Sequence, residues 1–197
     1  MAADSAGAVY VADSSNHTIR KITPSGEVTT VAGLAGSIGR ADGTGGAARF
    51  NYPSGIAVDG GGVVYVADGH SHTIRRITPG GVVSTLAGLS GDSGAVDGTG
   101  EEARFDNPRG VAVDTAGNLY VADSVNYTIR RVTPEGVVTT VAGAAGDRNT
   151  TDGAASVARF YGPNGIALDN NGALYIADTD NNTIRVGTPR PSSPSRR

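Results

Sequence analysis

Short apolar runs punctuated by Gly, Pro, Asn and Asp follow one another along the chain, and no stretch sustains a 3.6-residue period. Residues 110–143 show the pattern most clearly. GVAVD (110–114) predicts a short strand, and TAGN (115–118) a turn. LYVAD (119–123), rich in β-branched and aromatic residues, predicts a second strand. The tip Ser124-Val125-Asn126 leads into a third, TIRRVT (128–133). Pro134-Glu135-Gly136 is a tight turn, with Pro fixing φ and Gly free to take φ > 0. VVTTVAG (137–143) is the fourth strand. The inner strands, such as GIAV and LYVA, are apolar at nearly every position, which predicts burial on both faces. Only GGAARF, GEEARF and ASVARF break the β pattern, as turn-like segments.

The same unit recurs without insertion or deletion. YVAD stands at Tyr10, Tyr65 and Tyr120 and YIAD at Tyr175, each 55 residues from the last. Thr18-Ile19-Arg20 recurs at Thr73, Thr128 and Thr183, and Ala48-Arg49-Phe50 at Ala103 and Ala158. A repeat of four antiparallel strands, apolar on both faces, is a unit that must stack on its neighbours, as the blades of a β-propeller do. The expected fold is all-β: a propeller of four-stranded blades, with repeats at about 1–55, 56–110, 111–165 and 166–189 and a disordered tail over 190–197. An outer strand is found at 27–32, 82–87 and 137–142, but the fourth copy dissolves into RPSSPSRR. The last blade is therefore expected to present an open edge. Three assemblies fit: part of a longer propeller, a closed four-bladed ring, or a subunit that completes itself by homo-oligomerisation through that edge.

Composition narrows the function classes. The 197 residues carry a formal charge of −3 with 30 Gly and no Cys. Three of the arginines (Arg190, Arg196, Arg197) lie in the tail, so the body stands at −3 − 3 = −6. That lacks the basic footprint of a nucleic-acid binder. Without cysteine there is no disulfide, thiolate metal site or thiol nucleophile. No apolar run reaches the roughly 18–20 residues of a membrane-spanning helix, and no secretory leader is read at Met1. The compartment is not legible, and a parent protein could be extracellular.

Pro-x-Gly-[Ile/Val]-Ala-[Val/Leu]-Asp, then [Leu/Val]-Tyr-[Val/Ile]-Ala-Asp, then Asn-x-Thr-Ile-Arg, as at Pro108–Asp114, Leu119–Asp123 and Asn126–Arg130, resemble the NHL-repeat family of β-propellers. The connector DGTGGAARF is similar to that of teneurin-type and many bacterial NHL repeats. The resemblance implies a propeller over nearly the whole chain. It implies function only loosely, because propellers host binding modules, scaffolds, lyases and lactonases alike.

Candidate sites follow from the meander. The second-to-third-strand tips and the long connectors (33–54, 88–109, 143–164) emerge on one face, and the tips differ between copies: SSNH, GHSH, SVNY and TDNN. Ser15, His17, His70, His72, Val125, Tyr127, Asp180 and Asn182 are the candidate ligand-face residues. The histidines are expected to be exposed tip residues; His17 and His72 are weak metal candidates, because their spacing matches no compact metal motif. Aspartates ending the first and second strands of each copy are expected to make Asx-turns rather than a calcium ring. The second-strand set is also expected to face the arginine across the hairpin, pairing Asp13, Asp68, Asp123 and Asp178 with Arg20, Arg75, Arg130 and Arg185. Phe50, Phe105 and Phe160 are expected to plug between blades, with Arg49, Arg104 and Arg159 anchoring the connectors. DGTGGAARF and its copies lack the Lys-[Ser/Thr] ending of a phosphate loop. No catalytic residue, cofactor or metal is nominated. The reading is a non-enzymatic binding or scaffold module with a protein or glycan partner. The alternative is a metal-dependent lyase or lactonase-like propeller enzyme.

Overall fold

The computed structural model describes residues 1–188, so the tail expected to be disordered lies outside the described residues. Blade 1 orders β1 (Ala2–Ala3), β2 (Val9–Asp13), β3 (Thr18–Ile22) and β4 (Val28–Gly33) in sequence. The connector that follows carries the two-residue strand β5 (Gly43–Thr44). Blade 2 comprises β6 (Pro53–Val58), β7 (Val64–Asp68), β8 (Thr73–Ile77) and β9 (Val82–Ala87), and β5 is added outside β9. Blade 3 repeats this with β10 (Gly98–Thr99), β11 (Pro108–Val113), β12 (Leu119–Asp123), β13 (Thr128–Val132) and β14 (Val137–Gly143). Blade 4 has β15 (Pro163–Leu168), β16 (Leu174–Asp178) and β17 (Thr183–Gly187), and among the described residues no outer strand. The fold is all-β: four consecutive antiparallel blades of a β-propeller.

The structural unit is not the sequence unit. The first two connectors leave one blade and pair with the outer strand of the next, with Gly43 opposite Val83 and Gly98 opposite Val138. The turn-like GGAARF and GEEARF segments begin as single 3₁₀ turns at Gly45–Ala47 and Gly100–Glu102.

Blades stack face on face. Tyr10, Ile19 and Ala32 of blade 1 meet Val64, Val66 and Ile77 of blade 2, with Phe50 between them. Blades 2 and 3 repeat the contact around Phe105, and blades 3 and 4 around Phe160. The innermost strands approach most closely. A Cβ on Gly55 would run into the Arg109 carbonyl, and one on Gly110 into that of Asn164, which explains the glycine of Pro-x-Gly. The two terminal faces lack such neighbours. Ile184 is 68% exposed where Ile19, Ile74 and Ile129 are 0%. Val9 and Val11 are half-buried where Val64 and Val66 are buried. Among the described residues blade 4 therefore does not pack on blade 1. Of the three expected assemblies the closed four-bladed ring is corrected: the blades form an open arc.

Candidate interaction face

Each tip is one 3₁₀ turn, at Ser14–Asn16, Gly69–Ser71 and Thr179–Asn181, with hydrogen-bonded turns at the same place in blade 3. A residue in the left-handed region reverses the chain into the third strand: His17 (φ 58°), His72 (φ 60°), Tyr127 (φ 59°) and Asn182 (φ 55°). The incoming connector lies directly on the next tip. The N–H of His70 donates to the Asn51 carbonyl (3.1 Å), that of Val125 to Asp106 (3.2 Å) and that of Asp180 to Tyr161 (3.1 Å).

Beneath the tips sits a buried clasp. Arg75 Nη1 donates to Asp68 (3.1 Å) and to the Arg49 carbonyl (3.0 Å), and its Nη2 to Asp42 (2.6 Å) and the Ala41 carbonyl (3.0 Å). Arg130 makes the same four bonds to Asp123, Arg104, Asp97 and Val96, and Arg185 to Asp178, Arg159, Asp152 and Thr151. Each guanidinium also lies over the connector phenylalanine, 5.1–5.3 Å from the ring centroid. Blade 1 has no preceding connector in the described chain. There Arg20 reaches Asp13 only at 3.7 Å, and Arg20 stays 35% exposed at the side chain. Burial pushes the Asp68 and Asp123 carboxyls up to about 6, against the downward pull of N–H donors and the facing arginine. Both are ionised at neutral pH, as their contacts, all with donors, require.

The aspartates divide by position. Asp4, Asp59, Asp114 and Asp169, which follow the first strands, accept the N–H two residues on and make Asx-turns. The second-strand set does not, which corrects the Asx expectation for those four. Asp68 accepts the N–H of Asn51 (2.7 Å), Asp123 that of Asp106 (2.7 Å) and Asp178 that of Tyr161 (2.8 Å). The physical reason is the connector, which brings its own N–H groups to the carboxylate. A constant spacing of 17 residues between these partners was the available signal, and it spans a turn that sequence patterns alone do not close. Arg49, Arg104 and Arg159 bond carbonyls within their own connectors.

His70 is exposed as expected, but His17 and His72 differ from the expectation of exposed tips. His17 is 4% exposed, and its Nδ1 accepts the Tyr52 N–H at 3.3 Å. His72 is half-buried, and its Nδ1 accepts the Asn107 N–H at 3.1 Å. Asp106 lies 3.5 Å from the same nitrogen, but an Nδ1 that accepts a backbone proton is neutral, so this contact is not an ion pair. Burial lowers the His72 pKa, with Arg40 acting in the same direction and Asp106 opposing. In both residues only Nε2 remains for a ligand. Among the described residues no three of His, Asp and Glu converge as a metal site.

Fixed backbones thus carry variable side chains. Ser15, His70, Val125 and Asp180 occupy equivalent tip positions and all are exposed. Tyr52 stacks edge-on against His17 (4.8 Å) and tilts against His70 (4.6 Å). Tyr127 meets Tyr161 at 5.6 Å, with Arg148 over the Tyr161 ring at 5.5 Å. Asn182 is exposed beside Asp180.

The chain matches the teneurin NHL domain over residues 89–152 and the NHL repeat over residues 50–77 and 160–186. NHL repeat-containing protein 2 of Homo sapiens is 38% identical over 152 residues, covering 71% of this chain and 21% of that protein. The chain therefore spans about a fifth of the length of the curated relatives it matches first. Among solved structures, a Bacteroides thetaiotaomicron protein of unknown function superposes with a TM-score of 0.78 at 29% identity, over 94% of this chain and 45% of that one. A streptogramin B lyase superposes with a TM-score of 0.62 at 15% identity, over 96% of this chain and 54% of that one, a likeness of fold alone.

Proposed function

This chain belongs to the NHL-repeat family of β-propellers, and from that premise we propose that it is a non-enzymatic interaction module whose tip and connector face binds a protein partner. One observation carries the reading. His70, Val125 and Asp180 have the same backbone N–H tied to the same connector carbonyl, yet present a base, a hydrocarbon and an acid to solvent. A rigid frame with chemically distinct groups at equivalent positions suits recognition of a surface. Framework groups of the repeat are in contrast consumed: Asp68 and Asp123 are fully buried and bonded to arginine. The metal-dependent alternative would use His17, His72 or the second-strand aspartates, but both Nδ1 atoms accept backbone N–H groups and Asp68, Asp123 and Asp178 are bonded to arginine.

A photo-crosslinking amino acid at position 70 or 125 tests the face, with position 115 on the opposite turn as control. Adducts with one protein from extracts of the source organism, formed at 70 and 125 and absent at 115, are the expected result. Adducts at 115 alone, or saturable binding to a glycan array with no protein adduct, would refute the protein-face assignment.

A further inference from the structure

Blade 4 holds a slot shaped by the repeat itself. In blade 3 the outer strand β14 pairs with β13 on one side and with β10 of the connector on the other, and Val138 is buried to 1% exposure. Blade 2 does the same with β9, whose Val83 is 2% exposed. In blade 4 the corresponding rails are β17 and the connector at Gly153-Ala154. Between them lies a cavity of about 1270 Å³, lined by Ile129, Thr140, Asp152, Phe160, Ile176 and Arg185.

A specific polar group marks the register. In blade 3 the Asp97 carboxylate accepts both the N–H (3.0 Å) and the hydroxyl (3.0 Å) of Thr140 in the outer strand. In blade 2 Asp42 does the same with Thr85, at 3.1 and 3.2 Å. Asp152 is the third member of this series. Among the described residues it bonds Arg185 only, and its side chain is 90% exposed. At the equivalent sequence positions this chain reads SSPSRR (192–197), with Ser193 in place of the buried valine, Pro194 where Thr139 stands in β14 and Ser195 in place of Thr140.

We propose that this slot is a binding site for an extended segment of another polypeptide, taken up as the fourth strand of blade 4. It is separate from the tip face and independent of that reading. Main-chain bonds to β17 and to Gly153-Ala154 would hold the segment on both edges. Specificity would come from an apolar β-branched residue entering the cavity, and from a Thr or Ser two residues later placing N–H and O–H on Asp152. The chemistry is that of Val138 and Thr140, continued one blade further.

The test uses the chain's own outer strand in trans, as a labelled peptide GVVTTVAG (136–143), titrated with the full chain by fluorescence anisotropy. A saturable one-to-one rise is expected. Thr140→Val in the peptide and Asp152→Asn in the protein should each weaken binding by about tenfold, and by little more in combination, as coupled partners do. A peptide carrying Thr139→Pro should not bind. Absence of saturable binding overturns the proposal, whether residues 189–197 or a second copy fills the slot. So does binding indifferent to Asp152→Asn and to Thr139→Pro. Asp152→Asn keeps an oxygen that can accept from Arg185, and circular dichroism with thermal unfolding of the free variant checks that it folds as the parent does.

Discussion

Arg130 and Arg20 occupy the same place in two copies of one motif and face different physics. Arg130 is 0% exposed and spends its Nη donors on two carboxylates and two carbonyls, whereas Arg20 is half-open to solvent beside a single aspartate at 3.7 Å. Removing one partner of a buried pair strands the other, so Arg130→Leu should cost about 3–5 kcal/mol. Arg20→Leu should cost less than about 1 kcal/mol. Urea unfolding of both variants checks the contrast, and equal losses would refute the clasp. His72 supplies a pH effect. Its lowered pKa means the neutral imidazole is favoured by folding, so the stability tied to the Asn107 bond is present above the ordinary histidine range. It is lost as the pH falls through the depressed value. NMR titration should place the His72 midpoint below 6.5. Across the hairpin, Asp68 to Arg75 was legible from spacing, because adjacent strands fix register. The bonds to Asn51, Arg49 and Asp42 were not, because they join segments 17 to 33 residues apart through a loop.

At the scale of the element, strands were readable almost to the residue: LYVAD is β12 and VVTTVAG is β14. β-Branched runs between Pro-Gly turns leave the backbone little choice. The two-residue strands β5 and β10 were not readable, because nothing in Gly-Thr encodes a strand; only the neighbouring blade's edge makes them one. Glycines test how far local geometry is enforced. Gly88 sits at φ +93°, and a Cβ there would lie 2.5 Å from the His72 carbonyl. Gly88→Ala should therefore destabilise by more than 1 kcal/mol, whereas Gly60→Ala, with open space around it, should fall within about ±0.5 kcal/mol. Thermal unfolding of the two variants decides it.

At the scale of the whole molecule, one substitution repeated along the chain maps which faces are covered. Ile129 is 0% exposed against blade 4 and Ile184, its equivalent, is 68% exposed. Ile129→Ala should cost about 2–5 kcal/mol, and Ile184→Ala within about ±0.5 kcal/mol. Denaturation midpoints check both, and a large loss at Ile184 would mean that its face is covered in solution. Light scattering on a sizing column then shows whether a second copy covers it. By itself the sequence determined the repeat, the strands and the blade, since periodicity and turn chemistry act within one copy. Only the tertiary structure decided that connectors belong to the following blade, that His17 is buried, and that the arc stays open at both ends. Those features arise between copies, where identical residues meet a neighbour in one blade and solvent in the next.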